Sequence, residues 1–75
     1  MKTNFENNKL TIFLEGRIDA RNSPETEAEI FAELSKNPGT SEVVIDAEKL
    51  DYISSAGLRV LLKVRKQINK PLPVL

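Results

Sequence analysis

Two adjacent hydroxyls, Ser54 and Ser55, stand with Ala56 and Gly57 inside the segment YISSAGLRVLL, between the apolar pair Tyr52-Ile53 and an apolar run. A hydroxyl followed by small residues and then by leucines and valine is the pattern of a helix start. The oxygen caps free backbone N–H groups, and the small residues let the first turn approach neighbouring backbone. On this reading Ser55 is the cap, with the N–H groups of Ala56, Gly57 and Leu58 around its oxygen. The same geometry suits a modification: a phosphate esterified to Ser55 would sit at the positive end of a helix dipole and bring up to two negative charges to the surface. A plain cap and a modifiable hydroxyl both follow from these residues.

Other chemistry is poorly supplied. The chain has no cysteine and no histidine. There is therefore no disulfide framework, no thiolate, no imidazole base for a Ser/His/Asp arrangement and none of the commonest zinc ligand. The carboxylates are scattered and no glycine-rich phosphate loop is present, so the sequence argues against an enzyme and calls for no cofactor or metal. The N-terminal MKTNFENNKL lacks the apolar stretch of a signal peptide, and no window approaches the about 18 apolar residues of a membrane span. A cytoplasmic protein is expected.

The elements that must position the serines are legible as periodicity. KLTIFLEG puts Leu10, Ile12 and Leu14 on one face of a strand, and KTNFENN reads as a short strand turning back on it at Asn7 and Asn8. Ser23 before Pro24 predicts a capped helix beginning at Pro24, with Glu25, Glu27 and Glu29 toward its positive end. Ile30, Phe31 and Leu34 lie at helical spacing, Lys36 lies near the negative end, and Asn37-Pro38-Gly39 is the stop. EVVIDA, with three consecutive apolar β-formers, predicts a strand covered on both faces, and AEKLDYI reads as a connection that tucks Leu50 and Ile53 inward.

After Ser55 a second helix groups Gly57, Leu58, Val60, Leu61, Leu62, Val64 and Ile68 on one broad buried arc. Arg59, Lys63, Lys66 and Lys70 lie opposite, and Arg65 falls inside the arc. Asn69, Lys70 and Pro71 end this helix, and LPVL opens a further strand, on an edge or at a bulge because of Pro73. The order β-β-α-β-α-β is that of one α/β domain over residues 1–75, a mixed β-sheet with crossover helices.

Charge divides the chain. It is neutral overall, yet residues 1–53 hold 11 acids against 6 bases and residues 54–75 hold no acid and 5 bases. Without interleaved aromatics this basic stretch is no nucleic-acid footprint, and the contrast offers a protein partner potentials of both signs to read.

The blocks LTIFLEGRID, EVVIDAEKLDYISSAGLRVLL and KPLPVL, in that order over nearly the whole chain, resemble the STAS domain in its small free-standing bacterial form, the anti-sigma factor antagonist. The resemblance implies a partner switch. The unphosphorylated antagonist binds an anti-sigma factor that is also a serine kinase and thereby releases a sigma factor; phosphorylation reverses this. Carried over by position, the resemblance makes Ser55 the phosphate acceptor, Ala56 the following small residue and Gly57 the glycine. Ser54 stands where the family has an aspartate, Asp19 matches the acidic position after the second strand, and Asp46 the one ending the central strand. The implied partner surface comprises Asp19, Asp46, Ser54, Ser55, Ala56, Gly57 and Arg59.

Serine at position 54 removes a charge beside the acceptor and keeps open a second reading, a STAS scaffold subunit of a transporter or sensory complex that is not phosphorylated. Family members continue past the equivalent of Leu75, so the resemblance implies a domain whose C-terminal elements are missing. A truncated product, a cleaved piece, or a homodimer or strand-exchanged oligomer that restores the missing cover is expected.

Overall fold

The structure is a computed structural model that describes residues 1–68. Its elements are β1 (Lys2–Glu6), β2 (Lys9–Ile18), α1 (Ser23–Lys36), β3 (Glu42–Ile53) and α2 (Ser55–Ile68). The strands form one sheet in the order β1-β2-β3, antiparallel between β1 and β2 and parallel between β2 and β3. The strand expected in LPVL, and the helix stop at Asn69 to Pro71, lie outside the described residues.

The hairpin turns where expected. Asn7 and Asn8 take φ of 53° and 63°, the left-handed pair that a two-residue turn needs and that asparagine tolerates. The carbonyl of Asn8 also accepts hydrogen bonds from the N–H groups of Ser41 at 2.8 Å and Glu42 at 3.3 Å, which ties the hairpin to the start of β3.

One face of the sheet carries both helices. Alternation puts Leu10, Ile12 and Leu14 of β2 with Val43 and Ile45 of β3 on that face, where they pack with Ile18, Ile30 of α1 and Val60 and Val64 of α2. Full burial of such side chains is worth about 1.5–3 kcal/mol each, which makes this cluster the main source of stability. Phe31, Leu34, Leu50, Ile53, Leu61 and Ile68 close its margins. Val43, Val44 and Ile45 are all buried, but only Val43 and Ile45 belong to the core cluster under the helices, so among the described residues no helix supplies the cover expected on the second face. The centre of the described sheet is nonetheless β2, and among the described residues β3 is paired along one edge only.

Three expectations are corrected. AEKLDYI is strand: β3 runs unbroken to Ile53 and stays paired with β2 through two register shifts, one between Phe13 and Glu15 and one between Gly16 and Arg17. Each shift places an additional β3 residue opposite β2, so these are bulges, which carry polar residues through a strand that an alternation rule would end. Gly16 sits between them with φ of 70°, a conformation that costs a residue with a Cβ about 1–2 kcal/mol. Asp46 is thus within the strand rather than at its end, and its Oδ1 accepts the Glu48 N–H at 3.0 Å across the first bulge.

The second correction concerns α1, whose cap is Asn22 rather than Ser23. Ser23 is the buried first helical residue, and the Asn22 side chain makes no capping bond because it is used elsewhere. The third concerns α2, whose buried face is narrower than the predicted arc. Gly57, Val60 and Val64 are buried, whereas Leu58 is 50 % and Leu62 58 % exposed, and Arg65 lies in solvent. A helix resting on one side of a sheet buries a stripe, and those two leucines lie beyond it.

Candidate functional site

The start of α2 is held by both the cap and the sheet. Ser54 leads out of β3, and its N–H donates to the Ile18 carbonyl at 2.8 Å, joining the helix start to the end of β2. Its Oγ accepts the Gly57 N–H at 3.3 Å and its carbonyl accepts the Leu58 N–H at 3.0 Å. These are the bonds of an N-cap residue. The cap is therefore Ser54, not Ser55. The difference is one residue and its consequence is large: the hydroxyl of Ser55 is not consumed by capping, and Ser55 is exposed as the first residue of the helix.

Gly57 is required by close approach. A Cβ at this position would lie 2.6 Å from Cγ1 of Ile53 and 2.9 Å from Cγ2 of Ile18, so the first turn of α2 rests directly on the ends of β3 and β2. Ala56, half-buried beside it, is the other small residue of the motif.

Asp19 follows Ile18 and shares this end of the sheet. Its N–H donates to Asn22 Oδ1 at 2.9 Å, and its own Oδ1 accepts the N–H groups of Arg21 at 3.0 Å and Asn22 at 3.2 Å. Asn22 Nδ2 donates to the Arg17 carbonyl at 2.8 Å, which is why that side chain is unavailable to cap α1. The Arg17 guanidinium lies 3.6 Å by Nε from Asp19 Oδ2 and 4.3 Å above the ring of Tyr52. The backbone N–H of Asn22, with smaller help from the Arg21 N–H and the Arg21 and Arg17 charges, holds the Asp19 carboxyl below its ordinary value of 3.8 against a partial opposing effect of desolvation. A carboxyl depressed by folding contributes stability that is complete above its unfolded pKa and is lost as pH falls through the lower folded value. Asp19→Asn is therefore expected to flatten the acid limb of a stability-versus-pH profile below about pH 4 while leaving its dependence at neutral pH unchanged. Thermal melts at stepped pH check this, and parallel acid limbs would contradict it.

Of the residues singled out in the sequence, Asp19, Ser54, Ser55, Ala56 and Gly57 meet at one end of the molecule, and Arg59 is one turn along α2, exposed. Asp46 does not join them. It lies seven residues before Ile53 on β3, on the order of 20 Å away along the strand. Two candidates were missed, Leu58 and Leu62, which sequence reasoning put inside the core. The signal was available: Leu62 is seven residues after Ser55 and falls on the same side of the helix. Among the described residues no cluster of His, Cys, Asp and Glu could hold a metal ion, and no helix is long and apolar enough to cross a membrane.

Residues 1–71 match the family model described as the STAS domain. The chain belongs to the STAS domain family. Over 57 residues this STAS domain is 47 % identical to "Putative anti-sigma factor antagonist BtrV" of Bordetella bronchiseptica, covering 76 % of this chain and 47 % of that protein. The chain thus spans about half the length of the curated relative it matches. Among solved structures it resembles the anti-sigma factor antagonist SpoIIAA in its unphosphorylated form, with a TM-score of 0.75 at 14 % identity, over 97 % of this chain and 69 % of that one. It also resembles Mglu, with a TM-score of 0.77 at 16 % identity, over 97 % of this chain and 18 % of Mglu. At these identities the likeness is one of fold. Among the described residues the STAS fold is a three-stranded mixed sheet with two helices on one face, the α/β mixed-sheet class that the resemblance implied.

Proposed function

We propose that this STAS domain is an anti-sigma factor antagonist that binds an anti-sigma factor in its unphosphorylated form and is switched off by phosphorylation of Ser55. The observation that carries this reading is the division of labour between the two serines. Ser54 supplies the cap and Ser55 stays exposed at the first helical position, so a phosphate can be added without breaking the bonds that start the helix. In the proposed step the kinase transfers the γ-phosphoryl group of ATP. A new P–O bond forms to Ser55 Oγ, the bond to the ADP leaving group breaks, and the hydroxyl proton passes to a base of the kinase. The product carries about 1.5–2 negative charges beside positive backbone dipoles, which favour it, and within the surface a partner would read. The 47 % identity to the Bordetella relative supports the antagonist role.

Incubation with the cognate anti-sigma kinase and ATP, followed by peptide mass spectrometry, is expected to place the phosphate on Ser55. An unmodified Ser55 while a control antagonist is labelled would remove the switch. Ser54 in the place of the family's aspartate favours a second reading, a scaffold subunit that is never phosphorylated. Ser55→Asp and Ser55→Ala separate the two: a switch binds its partner in the alanine form and loses it in the aspartate form, whereas a scaffold binds both alike.

A further inference from the structure

At 100° per residue, Ser55, Arg59, Leu62 and Lys66 fall within about 40° of one line along α2, opposite the buried Gly57, Val60 and Val64. Arg59 lies four residues after Ser55, the spacing at which side chains on a helix surface meet, with the anionic partner on the N-terminal side, the better orientation for an ion pair. The other basic residue near this turn, Lys63, is already held by Glu27 of α1 at 3.0 Å. Arg59 is exposed, and among the described residues it makes no ion pair or hydrogen bond.

We propose that Arg59 is the internal counter-ion of phosphorylated Ser55, so that the switch withdraws a cation from the outward ridge of α2 as well as adding an anion to it. The inference rests, for its biological meaning, on Ser55 being the phosphorylated residue. In the unmodified protein Arg59 projects its guanidinium from the ridge between Ser55 and Leu62, available to an acidic group of a partner. Once Ser55 carries a phosphate, the planar fork of N–H donors finds an acceptor on its own helix, and the partner loses that charge. A lysine at this position would keep the attraction and lose the two-pronged geometry.

The test needs neither kinase nor partner, so its failure is distinguishable from failure of the switch itself. The 75-residue chain is prepared with phosphoserine installed at position 55 by chemical synthesis, as wild type, Arg59→Gln and Arg59→Lys, and the phosphorus resonance is titrated from pH 4 to 9. The helix terminus and the charges tied to it through the Ser54 to Ile18 hydrogen bond, Arg17, Asp19 and Arg21, are common to all three and cancel in the comparison. The second phosphate ionisation is expected at a pH about 0.15–0.4 lower with Arg59 than with glutamine. Lysine is expected to fall between them, and the difference to collapse at 1 M salt, where the screening length is about 3 Å. Superimposable wild-type and glutamine titrations, or a difference that persists undiminished in high salt, would overturn the proposal.

Discussion

Gly57→Val is expected to lower stability by about 3 kcal/mol, a large share of what a domain of this size possesses. The reason is the contact beneath the first turn of α2, where even one added carbon lies 2.6 Å from Ile53 and 2.9 Å from Ile18. Neither neighbour can yield freely. Ile18 is a buried member of the core cluster, and both isoleucines sit at paired positions on β2 and β3. The helix start must lift, which strains the Ser54 N–H to Ile18 hydrogen bond and the Ser54 cap together. Thermal unfolding followed by circular dichroism should show a fall of roughly 10–20 °C. The mechanism is separable from simple loss of glycine. Truncating Ile53 to alanine makes room under the turn, so Ile53→Ala and Gly57→Val combined should cost measurably less than the sum of the two alone. Strict additivity would show that the clash is not the cause.

Leu62→Glu is expected to leave the fold intact and to weaken binding of the proposed anti-sigma factor partner by about 30-fold or more, equivalent to about 2 kcal/mol for a central apolar contact replaced by a charge. Leu62 is 58 % exposed, so the substitution removes little from the core and the melting temperature should hold within a few degrees. Leu58, 50 % exposed and one turn earlier, should behave in the same way. Two leucines left in water one turn apart, on the helix that begins at Ser55, are the apolar contacts that the proposed partner surface would use. Titration calorimetry of each variant against the partner reads the effect. An unchanged affinity with an unchanged melt would remove the outward ridge of α2 from the interface.

The second outcome also bears on where the partner surface lies. The family resemblance groups Asp19 and Asp46 with the serines, and only the first belongs with them in space. Asp46 is spent on the bulge of β3, accepting the Glu48 N–H, and is well removed from the helix start. A substitution there is a test of the strand rather than of binding.

Much of the architecture was legible in local patterns because the physics that produces it is local. Alternating Leu10, Ile12 and Leu14, the asparagine pair at the hairpin, and the helical spacing of Ile30 and Val64 with their neighbours each report a periodicity or a backbone angle that a few adjacent residues decide. The absence of histidine and cysteine is likewise read from the chain alone. What the chain could not disclose by itself depended on the second body in each contact. AEKLDYI became strand because β2 offered hydrogen bonds through two bulges. Asn22 rather than Ser23 stands at the cap position of α1, and its side chain makes no capping bond because it is tied to Asp19 and Arg17. The capping role passed from Ser55 to Ser54 because the Ile18 carbonyl drew the Ser54 N–H into the sheet and thereby set where the helix begins. Leu58 and Leu62 lay on the solvent side because one sheet face can cover only a stripe of the helix above it. The residue types therefore determined which elements form. The tertiary contacts decided which of two neighbouring hydroxyls is bound and which is free, since a hydrogen bond across the sheet leaves no mark in the spacing of the residues that make it.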